Sequence, residues 1–258
     1  NAYPPDACPS CEAEESLVAC GPGVERLAEE VARSFPDARV IIAASDNIAS
    51  PSAAARMVGE IERHEVDLVI GTQIVAKGYH FPLLTLVGAI DADLGLQGGD
   101  LRAAERTYQL LYQVAGRAGR GEKPGRVLLQ TYMANHPVIQ ALSAGDRDAF
   151  LAAEQSARRD VEMPPFGRLV ALIVSGKDEV AVDDGARNLA RTAPKTQEVR
   201  VLGPAPAPIA LLRGRHRRRL LLKAKPGVNV QSAVREWLGR ARWPKKVRVQ
   251  IDVDPYSF

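Results

Sequence analysis

Cysteine is scarce in this 258-residue chain: Cys8, Cys11 and Cys20 are the only three, and all lie in the first 20 residues. Nothing later could pair with them, so a disulfide framework is not expected, and a reducing cytoplasm fits best. No run approaches the ~18 apolar residues of a membrane span, and no charged, apolar, small-residue leader opens the chain. No membrane association is expected. The chain begins at Asn1 without an initiator Met and soon reaches Cys-Pro-Ser-Cys, so it reads as a piece cut from a longer protein. Acidic side chains are missing from Val199 to Arg235, where nine basic residues occur. The net charge is only +3, so this excess is local, and it points to an anionic partner. Also absent is the G-x-x-x-x-G-K-[ST] phosphate loop of a P-loop nucleotide site.

What is present after Gly21-Pro-Gly23 is an alternation of short apolar strands with amphipathic helices, the pattern of an α/β sheet with crossover connections. It predicts helices over 24–34 and 50–64, with Ser50 as N-cap and Pro51 first in the helix. Strands are predicted over 39–44, 67–71, 84–90 and 126–131. Each is apolar enough to be covered on both faces of a parallel sheet, and in such sheets ligands lie beyond the strands' carboxyl ends. Helices near 136–143 and 146–160 lead to Met163-Pro-Pro-Phe-Gly167, a hinge by composition. The predicted order then becomes strand 169–174, helix 180–191, strand 199–202, a hairpin of 209–212 with 220–224, helix 230–241 and strand 247–253. That is close to the split βαβ order of ferredoxin-like domains. The expected organisation is thus 1–20 as a remnant of a metal-binding element, 21–135 as an α/β lobe, 136–166 as helical connector and hinge, and 167–258 as a smaller α+β domain.

Three constellations carry chemistry. In Gln113-Val-Ala-Gly-Arg-Ala-Gly-Arg120 the side chains of Gln113, Arg117 and Arg120 fall at i, i+4 and i+7, one face of a helix, with Gly116 and Gly119 clearing space beside them. Leu101, Ala104, Tyr108, Leu111, Tyr112 and Ala115 give the same helix an apolar face. Two guanidiniums so placed suit phosphoryl oxygens, although a helix C-terminus ending in Gly and Arg is the plainer alternative. The second is Thr72-Gln-Ile-Val-Ala-Lys-Gly-Tyr-His-Phe-Pro82, behind a predicted strand. There Thr72 and Gln73 could bond a nucleic-acid backbone, Lys77 supplies charge and Gly78 permits close approach. The third is the C-x2-C of Cys8 and Cys11, half of a tetrahedral zinc site. Either Cys20 and another group complete it, or the remaining ligands lie elsewhere, or the thiols are incidental.

Taken together, Thr72–Pro82 resembles motif V of superfamily 2 helicases, and Gln113–Arg120 matches the Q-x-x-G-R-x-G-R pattern of their motif VI. The finer text resembles the primosomal protein N′ family of replication-restart helicases. It comprises GTQ-x-x-x-KG-x-x-FP, a strand closing in Asp91-Ala-Asp93, QVAGRAGR, LLQT at 128–131, the CPSC pair before Gly21-Pro-Gly-x-Glu25, the Pro-Pro of the hinge, Leu202-Gly-Pro-Ala-Pro206 and Asp252-Val-Asp-Pro255. The resemblance covers essentially the whole chain. It implies the second of two RecA-like lobes followed by the C-terminal domain of an ATP-dependent 3′ to 5′ DNA helicase that unwinds stalled or branched forks and initiates primosome assembly. ATP and Mg2+ would be shared with a first lobe, so this piece alone is expected to be inactive.

By motif position the resemblance makes Arg120 the arginine finger, sets Arg117 beside it on the phosphates, and lets Gln113 order the attacking water or couple nucleotide to DNA. Gly78, His80 and Gly116 would border the nucleotide, and Thr72, Gln73 and Lys77 the DNA. Asp91 and Asp93 are expected to be structural, since a carboxylate pair alone specifies little as a metal site. Cys8 and Cys11 would be the last pair of eight cysteines holding two Zn2+ in the full-length protein. In the basic run, Arg215, Arg217 and Arg219 would meet branched or single-stranded DNA, or the acidic tail of single-stranded-DNA-binding protein, with other primosome proteins as further partners. Relatives often carry aromatics in this hairpin, and here His216 and Arg218 stand instead, which favours phosphate or carboxylate contact over base stacking. The competing reading is a non-catalytic nucleic-acid or partner-binding module.

Overall fold

Ser50 accepts a hydrogen bond from the Ala53 N–H at 3.2 Å and Pro51 follows it, so the helix start predicted from Ser-Pro is built as expected. The computed structural model describes residues 23–44, 50–72, 81, 83–96, 100–119 and 123–256. Its described residues divide into two compact units. One takes the described part of Asn1–Leu96 with Arg106–His136, and the other that of Gln97–Glu105 with Pro137–Phe258.

In the first unit α1 (Val24–Ser34) precedes β1 (Val40–Ala43), and α2 (Pro51–Glu62) connects β1 to β2 (Leu68–Gly71). The strands pair in parallel, Val40 opposite Leu68 through Ala43 opposite Gly71. Arg39 clamps their entry, its backbone N–H and guanidinium both bonding the Asp67 carboxylate, which they hold far below the usual carboxylate range. β3 (Leu86–Ala89) and β4 (Arg126–Leu129) form a second parallel pair across α3 (Ala103–Ala115). A parallel pair needs a long crossover, which both helices supply.

Two expectations change here. The four strands form two separate pairs among the described residues, and they are not covered on both faces: Leu86 and Leu128 are 53% and 60% exposed. A two-stranded pair consists only of edges, so fewer neighbours cover each side chain. On α3 the buried residues are Thr107, Tyr108 and Leu111, while Tyr112 stacks on Tyr108 at 5.8 Å and stays exposed.

In the second unit α4 (Pro137–Ala144) and α5 (Arg147–Asp160) are followed by β5 (Arg168–Gly176), α6 (Glu179–Arg191), β6 (Val199–Leu212), β7 (Arg215–Ala224), α7 (Val230–Arg240) and β8 (Arg248–Val253). The sheet order is β6-β7-β5-β8, antiparallel at every junction. β5 and β6, joined through α6, therefore run parallel with β7 between them, and β7 and β8, joined through α7, with β5 between them. Val170, Leu172, Val174, Leu220 and Leu222 point from one face of the sheet into a core completed by Val182, Leu189, Val234 and Trp237. The Trp237 ring is fully buried and its indole N–H donates to the Leu189 carbonyl at 2.9 Å, so its polar end is satisfied.

The hairpin also differs from expectation. β6 is one strand of 14 residues with two register shifts, and β7 begins at Arg215. Only Arg213 and Gly214 form the turn, with φ of 50° and 70°. That is the left-handed pair of a tight two-residue hairpin, and Gly214 takes it without strain. Most of the basic run is therefore strand. No helix among the described residues is long and apolar enough to cross a membrane.

Candidate functional site

The arginine motif does not continue α3. The helix stops at Ala115, and the next residues turn more tightly, Arg117 N–H bonding the Val114 carbonyl at 3.0 Å and Ala118 N–H that of Ala115 at 3.2 Å. Gly116 breaks the helix by propensity, and Gly119, at φ +73°, redirects the chain. A side chain at Gly119 would lie 2.6 Å from the Gly125 nitrogen, so the two backbones touch in a way only glycine allows. Gln113 and Gly116 are exposed and Arg117 is half-buried. The predicted single helical face thus holds for Gln113 but not for Arg117, which sits on the turn. Arg120 lies outside the described residues.

The Gly119 N–H donates to the Leu84 carbonyl at 2.9 Å, and the Leu84 N–H to that of Phe81 at 3.3 Å. Phe81, which is buried, belongs to the Thr72–Pro82 segment. The end of that segment and the end of the arginine motif are therefore tied together through Leu84. Thr72 is exposed directly beyond the carboxyl end of β2. Gln73, Lys77, Gly78 and His80 fall outside the described residues, as do Cys8 and Cys11.

Asp91 and Asp93 prove unequal. Asp91 takes φ +56° in the turn after β3, whereas Asp93 is fully buried. One Asp93 oxygen accepts from the Thr131 hydroxyl and the other from the Tyr132 N–H at 2.6 Å. Burial pushes its acidity down, but these bonds, with the Met133 N–H and nearby His136, outweigh that and hold the carboxyl below its usual value. Asp93 so fastens the Asp-Ala-Asp turn to the LLQT segment, a link that neither motif announces.

On β7 the alternation of the pleat divides the basic run into two sets. His216 and Arg218 share the face of Leu220 and Leu222, towards the core helices. Arg218 bonds Glu179 at 2.8 Å and Asp183 at 2.6 Å, and His216 lies 3.5 Å from Glu179. The hydrogen bond to Glu179 is the main reason that the Arg218 guanidinium is held more firmly protonated than usual. Arg215, Arg217 and Arg219 point to the opposite face and are half-buried. Arg215 bonds the Ser175 carbonyl at 3.4 Å and Arg217 that of Ile209 at 3.5 Å. Sequence reasoning singled out the second set. It missed the carboxylates that neutralise the first, although the period of two in His-Arg-Arg-Arg-Leu-Leu-Leu carries that signal.

A family model described as the primosomal protein N C-terminal domain matches residues 159–256. Over 252 residues the chain is 44% identical to the replication restart protein PriA of Rickettsia conorii, an alignment spanning 98% of this chain and 39% of that protein. The chain belongs to the PriA family of replication restart proteins. The PriA proteins of Synechocystis and Bacillus subtilis are 38% and 35% identical over 98% of the chain. The chain spans only 30% to 39% of the length of these PriA relatives. The matched PriA C-terminal domain takes in the whole antiparallel sheet and both helices that cover it.

Proposed function

We propose that this chain is part of an ATP-dependent DNA helicase that moves 3′ to 5′, unwinds stalled or branched forks and starts primosome assembly for replication restart. The first unit serves as a RecA-like second lobe and the antiparallel unit as a ferredoxin-like C-terminal domain. The observation that carries this reading is the junction at Leu84, where the two helicase-like motif segments meet. A segment that senses nucleotide and one that holds DNA must share a rigid body if nucleotide binding is to move DNA.

ATP with Mg2+, bound against a first lobe, supplies the phosphoryl group and its charge. The residues at the end of α3 fit such a ligand. A helix C-terminus presents carbonyls and repels anions, so a phosphate there has to be met by a side-chain cation, and Arg117 supplies one. Arg120 stabilises charge on the transferring group, Arg117 holds the phosphates, and Gln113 orients water or couples the site to DNA. Gly78, His80 and Gly116 leave room at the nucleotide's edge, while Thr72, Gln73 and Lys77 hold the DNA backbone. Cys8 and Cys11 serve Zn2+ in the longer protein. Arg215, Arg217 and Arg219 contact DNA or the acidic tail of single-stranded-DNA-binding protein.

Joined to a first lobe, the Arg120→Ala protein should lose ~10³-fold or more of its DNA-stimulated ATP hydrolysis, the usual effect of removing such a finger. It should keep the wild-type circular dichroism spectrum. Undiminished turnover would refute the role and leave a non-catalytic DNA or partner module.

A further inference from the structure

We infer that the open edge of β8 docks a second copy of this chain, strand against strand, by antiparallel pairing of Arg248–Val253 with itself about a two-fold axis at Gln250. β8 lies at one edge of the sheet, with β5 as its neighbour among the described strands. The Asp254 N–H donates to the Leu169 carbonyl at 2.8 Å, and backbone groups alternate sides along a strand. The N–H and C=O groups of Asp252, Gln250 and Arg248 therefore turn towards β5 as well. Those of Val249, Ile251 and Val253 turn outwards, where no other segment of the described residues bonds them.

The two edges of this sheet are built differently. β6, the other edge, carries Pro204, Pro206 and Pro208 and two register shifts, devices that keep an edge strand from pairing further. β8 has neither: it contains no proline, and its pairing with β5 runs unshifted from Arg248 opposite Ser175 to Val253 opposite Val170. Its side chains are open too. Arg248, Gln250 and Asp252 are exposed on the face away from the core, and on the core face Ile251 and Val253 remain 45% and 36% exposed.

The charges select the occupant. Arg248 and Asp252 make no ion pair among the described residues, and at about 13.6 Å apart along the strand they are beyond each other's reach. An arbitrary strand laid along β8 would leave both charges unmatched. An antiparallel copy centred on Gln250 instead sets its Asp252 opposite Arg248 and its Arg248 opposite Asp252, opposite charges directly across the ladder. On the core face the same register sets Val249 against Ile251 of the copy, and Ile251 against its Val249, so the apolar surface continues across the axis. These are also residues whose backbone groups already point outwards, so they exchange the new ladder bonds. A slip of one residue would lose the charge match and turn the apolar side chains to the wrong face.

One short strand pair makes a small interface, so the dimer is weak and is read from its concentration dependence. Sedimentation velocity of the whole chain from about 5 to 500 µM should show a reversible monomer–dimer equilibrium. Arg248→Asp alone and Asp252→Arg alone each set like charges opposite one another, and each should weaken association by about tenfold or more. An equimolar mixture of the two variants should dimerise as the wild type does, because across the axis it restores both ion pairs. Ile251→Pro removes an N–H that the monomer's ladder does not use, so it should abolish the dimer while keeping the wild-type circular dichroism spectrum. A wild-type chain that stays monomeric throughout overturns the docking. So does a dimer indifferent to the charge reversals, or one lost in both variants and not regained in their mixture. None of these measurements involves nucleotide or DNA, so their failure is separable from that of the helicase reading.

Discussion

Asp93 shows what one side chain can do when both its oxygens are used. In sequence it is half of an Asp-x-Asp pair that could equally hold a metal, and only its burial against Thr131 and Tyr132 assigns it to fastening two strand ends. Its folded-state acidity is raised, meaning a depressed pKa, so its contribution is present above the unfolded value of about 3.9 and lost as pH falls through the folded value. Asp93→Asn should cost about 1–3 kcal/mol at neutral pH, the range for leaving a buried polar group mispaired. It should also flatten the loss of stability in acid. Urea unfolding of wild type and variant at neutral and acid pH checks this, and a constant difference across pH would deny the carboxylate its role. Arg218 gives the complementary lesson. It stands in the same basic run as Arg217 and Arg219, yet Glu179 and Asp183 make it a structural residue.

Among the elements, the helix ends and caps were legible and the extents of long strands were not. Ser50-Pro51 marks the start of α2 because its hydroxyl and ring satisfy needs that are local. The continuation of β6 through Leu212 depends on β7 running beside it, which no window of β6 reveals. The end of α3 lies between these cases. Two glycines announce a break, but the tight turn through Arg117 is set by the contact of Gly119 with Gly125 and by the bond to Leu84. Gly119→Ala should destabilise the first unit by about 2 kcal/mol, because an alanine at positive φ is strained by roughly 1–2 kcal/mol before any clash. Thermal unfolding measures it, and an unshifted transition would mean that the turn tolerates a side chain.

For the whole molecule, the chain has no phosphate loop of its own, and it spans 30% to 39% of its relatives' length. By itself it should show no DNA-stimulated phosphate release, whereas a protein that includes a first lobe should; turnover by the chain alone would sink the divided-site reading. The sequence by itself determined the family, the alternation of α/β elements and the residue types that meet phosphate, because these depend on local pattern and on spacing along the chain. Only the tertiary structure decided that the strands of the first unit form two pairs, that Leu84 joins the two motif segments, and which arginine of the basic run is paired with Glu179 and Asp183. Each of those rests on partners distant in sequence, and a partner's identity is written into neither residue alone.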